Sequence, residues 1–218
     1  MRRRDIQDGR LTDSCAHFGV WTATMNEDQL IEAIRERAAR PELRNDFAHL
    51  FGAEVSAPAK TAAVDGAERA IGYALHPFHR RLLTEVGNGG FGPGYGLIGL
   101  PGGTMGVDGH SLVALSRLLL DESGPSSSVP VVVLCDWGCG TWACIDCETG
   151  AVLTIAEDGL KDSGQTICAW FEDWVSGVEL WRRVFKEEQR IVQNPSTKLP
   201  ESIVITSGTL GVPYVRRR

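Results

Sequence analysis

The sequence has no run of about eighteen consecutive apolar residues, so no membrane-spanning helix is expected. Met1 is followed by three arginines and further charged residues, without the apolar core of a signal peptide. Export is therefore not expected, a cytoplasmic location is, and the thiols are expected to stay reduced. No GK[ST] phosphate loop, no HExxH and no Gly-x-Ser-x-Gly elbow occurs. Basic charge is also short. Without the six arginines of the triplets at 2–4 and 216–218, 22 basic residues become 16 against 28 acidic ones, a balance of −12. Nucleic acid is excluded as a natural partner for such a body, whereas a basic protein is favoured.

What is present is a chain of 218 residues, 43% hydrophobic, enough for one core. Its densest segment is Cys135–Asp136–Trp137–Gly138–Cys139–Gly140–Thr141–Trp142–Ala143–Cys144–Ile145–Asp146–Cys147, which holds four of the six cysteines. Structural zinc takes four converging ligands, commonly from two separated CxxC turns. Here the pairs are nearly contiguous, and residues 141–147 have the composition of a strand, which sends Cys144 and Cys147 to opposite faces. A redox CxxC belongs at a helix start. The cysteines are read as small buried hydrophobes, with no metal and no cofactor.

Along the chain, residues 1–24 lack periodicity, and Met25 is a conceivable alternative start. Asn26 and Gln29 form a capping box for a helix whose Leu30, Ile31, Ile34 and Ala38 share one face. Residues 52–66 read as a loop or weak helix. His76–Pro77–Phe78 opens another helix, with Phe78, Leu82 and Val86 facing the core, His76 at the entry and His79 exposed. Gly87 ends it, and a Gly-rich turn leads into a short strand near Leu97–Leu100. The order helix, turn, strand is the wrong one for a phosphate loop. A short helix is expected over His110–Leu120. Strands are expected at Val131–Cys135, Thr141–Asp146 and Ala151–Ile155, joined as antiparallel hairpins. Thr166 caps a closing helix with Ile167, Trp170 and Trp174 in the core. From residue 190 to 218 the chain reads as an extended or disordered tail.

Three segments resemble the SUKH superfamily, named partly from fungal Smi/Knr regulators. The first runs from Glu68–Arg69–Ala70–Ile71–Gly72 through Leu82–Leu83–Thr84–Glu85–Val86–Gly87 to Asn88–Gly89–Gly90–Phe91–Gly92–Pro93–Gly94–Tyr95–Gly96–Leu97, and resembles the family's entry helix and "NGG…GPGYGL" turn. The second, Cys135–Asp136–Trp137–Gly138–Cys139 with Ile145–Asp146 and Thr149–Gly150, is similar to its central hairpins. The third, Thr166 to Trp181, looks like its closing "SFxxWLxxWxxGxxLW" helix, with Ile167 where an aromatic is usual. Together they cover about residues 65–185.

The resemblance implies an α+β fold, a mainly antiparallel β-sheet covered by helices. It gives a single domain over 25–189, with flexible termini at 1–24 and 190–218. It implies no catalytic residues. Most relatives of this kind are bacterial immunity proteins of polymorphic toxin systems, which bind and neutralise a cognate protein toxin, often a nuclease. Acidic charge suits that role, because a nuclease that grips nucleic acid has a basic site. From Asp136 to Glu188 there are eleven acidic and four basic residues. Asp136, Glu148, Glu157 and Asp158 fall at turns or strand ends, where exposure is expected. They are the candidate partner contacts, and each is equally readable as an ordinary solvated carboxylate. Two other classes stay open: a regulatory scaffold of the Smi/Knr type, and a metal-binding protein or enzyme built on the Cys-rich segment.

Overall fold

The computed structural model describes residues 25–47, 54–122, 129–157 and 159–214. Helix α1 (Glu27–Ala38) begins where local chemistry predicts. The Gln29 N–H donates to Asn26 Oδ1 at 2.9 Å, and the Asn26 N–H donates to Gln29 Oε1 at 3.1 Å. Leu30, Ile31, Ile34 and Ala38 are all buried. Helix α2 (Thr61–Ile71) begins inside the stretch 52–66 expected as loop or weak helix and runs past its end. Its alanines supply helix propensity, and Val64 and Ala67 anchor it to the core. It ends at Gly72 in the left-handed conformation.

Helix α3 (Pro77–Arg81) is capped by His76, whose Nδ1 accepts from the Phe78 N–H at 3.3 Å. It runs on as a π-turn over Leu82–Val86, closed by the Gly87 N–H donating to the Leu82 carbonyl at 3.1 Å. Phe78, Leu82 and Val86 are buried, as expected. His79, expected at the surface, is fully buried. The reason is tertiary: α1 packs on the π-turn, and the C-terminal helix packs on α3, so this segment has two covered faces instead of one.

Helix α4 (Leu112–Glu122) lies along β1 (Val131–Gly138). The Val133 N–H donates to Ser116 Oγ at 3.1 Å. The chain then runs through β2 (Thr141–Asp146), β3 (Ala151–Ala156) and β4 (Gly159–Thr166), each antiparallel to the one before. Strand β1 is buried along all but its last position. Its outer edge is occupied by the exit of the Gly-rich turn: Leu97 bridges Cys135, and the Ile98 N–H donates to the Leu134 carbonyl at 2.8 Å. An edge covered in this way cannot recruit another strand.

Helix α5 (Ile167–Val175) starts at Thr166, whose Oγ1 accepts from the Ala169 N–H at 3.4 Å. Trp170, Phe171 and Trp174 are buried in edge-to-face contacts, with centroids 5.3 and 5.9 Å apart. A 3-10 turn (Leu180–Arg183) follows.

Residues 190–214 are not a loose tail. Strands β5 (Phe185–Gln193) and β6 (Pro200–Thr209) form their own two-stranded antiparallel sheet. Strand β7 (Val212–Pro213) then joins β4, making the main sheet β1-β2-β3-β4-β7. Tyr214 Oη donates to Asp146 Oδ2 at 2.6 Å and pins this end down. The β-branched residues Ile191, Val192, Ile203, Val204 and Ile205 carry the strand signal, with Asn194–Pro195–Ser196–Thr197 between. The same Pro, Ser and Thr content gives the segment its tail-like composition.

The architecture is therefore α+β, with an antiparallel sheet and covering helices. Among the described residues no helix is long and apolar enough to cross a membrane.

Candidate functional site

The Gly-rich turn is the scaffold of the site. It is clamped from one side by the segment after α1: the Gly92 N–H donates to the Arg44 carbonyl at 2.9 Å, and the Asp46 N–H to the Gly94 carbonyl at 3.1 Å. Gly94 returns its own N–H to Asp46 Oδ2 at 2.7 Å. On the other side the Tyr95 N–H donates to the Asp136 carbonyl at 3.0 Å. Gly94 has φ of +61°, and a Cβ there would stand 2.5 Å from the Asp136 carbonyl oxygen and 3.2 Å from the Trp137 ring. Only glycine lets Asp46 and β1 approach the turn from both sides.

Asp46 lies in a cleft of about 450 Å³. Arg37, Glu42 and Asn45 line it from the end of α1 onward, and Glu179 and Trp181 line it from beyond α5. Burial pushes the Asp46 carboxyl up to about 6, against the Gly94 N–H and the positive Arg37, which pull it down. The Arg37 guanidinium sits 4.7 Å from the Trp174 ring centre. Glu179 is held by Arg182, which itself lies over Trp181. The ionisable side chains of this described lining are Arg37, Glu42, Asp46 and Glu179, so the cleft can pair charges and exchange hydrogen bonds.

Among the described residues, burial makes several histidines and thiols poor reagents. Burial lowers His79 to about 3 and lowers His76 as well, and the His76 Nδ1 is engaged as a cap. Burial raises Cys135 far above its ordinary range, Cys147 to about 12 and Cys168 to about 11. Cys135 and Cys144 sit in the core on neighbouring strands, while Cys139 is exposed in the β1–β2 turn. Cys144 and Cys147 do not divide between two faces of one strand, because β2 ends at Asp146 and Cys147 is already in the turn, where it too is buried. Among the described residues no three His, Cys, Asp or Glu side chains converge as metal ligands.

The four sequence-derived contacts do not form one patch. Glu148 is exposed in the turn between β2 and β3, and Glu157 is exposed just after β3. These turns lie at opposite ends of a six-residue strand, roughly 17–20 Å apart. Asp136 is buried inside β1, contrary to the exposure expected of it. Its Oδ1 accepts from the Gly138 N–H at 2.6 Å, and burial raises its pKa. The side chain closes the irregular end of the β1–β2 hairpin instead of facing solvent. Asp158 lies outside the described residues.

The β register puts Asp136 and Glu157 at the same end of the sheet, since Asp136 pairs with Trp142 and Trp142 with Ile155. Asp108 adds its negative charge there, and the Gly94–Tyr95 segment links this end to the Asp46 cleft. Asp46 was not a sequence candidate. It follows Asn45 on a short connection with no motif, and only the turn's hydrogen bonds bring it into place.

No family model matches the chain, and no curated protein matches it either.

Proposed function

We propose that the protein is a non-enzymatic, SUKH-like immunity protein. It binds and neutralises a basic protein toxin, for which a nuclease is the chemistry that fits best. One observation carries the reading. The three segments that resemble the superfamily, far apart in sequence, pack as a single unit. Phe78 of the entry helix faces Phe171 of the closing helix at 6.2 Å, and Trp137 of the central hairpin meets Trp170 at 6.2 Å. The Gly-rich turn lies between them, with Gly92 against Phe171 and Gly94 against Trp137.

The contact face follows from charge. The end of the sheet carrying the exposed Asp108 and Glu157, with the adjoining cleft of Glu42, Asp46 and Glu179, is the surface that would meet a basic partner. Acidic groups gathered there speed encounter with a cationic site and make association sensitive to salt.

The test is co-expression with the product of the neighbouring gene, followed by a pull-down. Rescue of growth, with a complex whose association slows as salt is raised, is the expected result. No rescue and no complex would overturn the pairing.

A further inference from the structure

The loop from Leu100 to His110 joins the Gly-rich turn to helix α4, and it is tied down along its length. The Leu100 N–H donates to Asn88 Oδ1 at 2.8 Å, and the Thr104 N–H donates to the Asn88 carbonyl at 2.9 Å. Thr104 Oγ1 donates to the Glu54 carbonyl at 3.0 Å. Gly103 lies so close to Asn88 that a Cβ there would stand 2.3 Å from Asn88 Cγ. Beyond Thr104 the chain closes a turn over residues 106–109. The Gly109 N–H donates to the Gly106 carbonyl and the Gly106 N–H to the His110 carbonyl, both at 2.9 Å. Asp108 Oδ1 accepts from the His110 N–H at 3.0 Å.

This tied loop holds two large apolar side chains in water. Met105 is 52% exposed, and Val107, at the first central position of the turn, is 67% exposed. Turn tips ordinarily carry Gly, Pro, Asn, Asp or Ser. Neither Met105 nor Val107 packs against the apolar core. Covering them with a partner removes apolar surface from water, and the hydrogen-bonded backbone leaves little further ordering to be done.

Charge selects the partner. Asp108 follows Val107 and is exposed, and the exposed Glu54 is held beside the loop through Thr104. The Asp108 charge reaches Asp136, at the end of the sheet where Glu157 is exposed. Between Arg81 and Arg117 the chain has no lysine or arginine, so a cationic partner meets no repelling charge on this segment. An apolar centre within a polar rim is the anatomy of a specific protein interface.

We propose that Met105 and Val107 are the apolar anchor of this acidic surface, received by a hydrophobic depression edged with lysine or arginine on the basic toxin. The anchor rests on the toxin reading and adds a division of labour to it. The carboxylates set how fast the partners meet, and the two apolar side chains set how long they stay together.

Surface plasmon resonance on the complex with the neighbouring gene product tests this. Met105→Ala and Val107→Ala are each expected to raise koff about tenfold. Neither changes a charge, so kon and its salt dependence are expected to stay as they are. Ile191→Ala, 80% exposed on β5, is expected to leave both rates unchanged. A complex whose koff is unmoved by both loop substitutions, or is raised as much by Ile191→Ala, overturns the anchor and leaves the toxin reading standing. No complex at all overturns the toxin reading and the anchor with it.

Discussion

His79 gives the sharpest test of the fold's energetics. The imidazole is fully buried, neither ring nitrogen has a protein partner among the described residues, and burial, reinforced by the neighbouring His76, pushes its pKa down to about 3. In the unfolded chain the same group titrates near 6.5. The folded value is depressed, so the unfolded state takes up a proton first as pH falls. The stability tied to His79 is therefore present above pH 6.5 and is lost progressively toward pH 3. Integrated from pH 7 to 4.5, the loss is about 2.5 kcal/mol. His79→Leu removes both the titration and two buried polar atoms, whose desolvation costs about 1–3 kcal/mol when unpaired. The variant is expected to match or exceed the parent at pH 7, and to gain on it by up to about 1.4 kcal/mol per pH unit below 6. Urea denaturation of both proteins at pH 7, 6, 5 and 4.5 reads the difference directly, since other acid-labile groups are common to both. A difference that stays flat across this range would refute the buried, neutral assignment.

Gly94→Ala is expected to cost about 2 kcal/mol or more, because it adds a clash with the Asp136 carbonyl to the left-handed strain. Gly102→Ala, also left-handed but with open space around it, is expected to cost only about 1 kcal/mol, and chemical denaturation separates the two. Asp46→Asn keeps an acceptor for Gly94 and removes a carboxyl whose folded pKa is raised. The raised group contributes stability below about pH 4 that is lost as pH rises through 6, so the variant should be more stable than the parent at pH 7 and not at pH 4. For the proposed association with a basic toxin, Glu157→Gln is expected to slow binding and flatten its salt dependence, as stopped-flow would record. Asp136→Ala is expected instead to lower stability by about 1–2 kcal/mol through the lost Gly138 hydrogen bond.

Local features were legible in the chain because their causes are local. The Asn26–Gln29 capping box, the Leu30–Ile31–Ile34–Ala38 stripe, the Pro77 helix start and the Thr166 cap all depend on residues within one or two turns. The three central strands were readable from short connections and β-branched runs. The β5–β6 hairpin was hidden, because Pro, Ser and Thr around residues 195–197 give the composition of a tail while the pairing itself spans two separated runs.

The capped helices, the three central hairpin strands and the apolar faces that make the core were thus legible in the sequence through periodicity, caps and turn residues, while the helix-covered antiparallel architecture was an expectation from the resemblance. Exposure was decided elsewhere. Asp136 sits beside a turn in sequence, yet the Gly138 N–H and the overlying Gly94–Tyr95 segment enclose it. His79 falls on the outer side of a one-faced helix, yet α1 and α5 cover that helix from two directions. Asp46 carries no motif, yet two hydrogen bonds to Gly94 place it in a cleft. Which polar groups face water depends on contacts between segments some 40 to 90 residues apart, and such contacts leave no periodic trace in the chain.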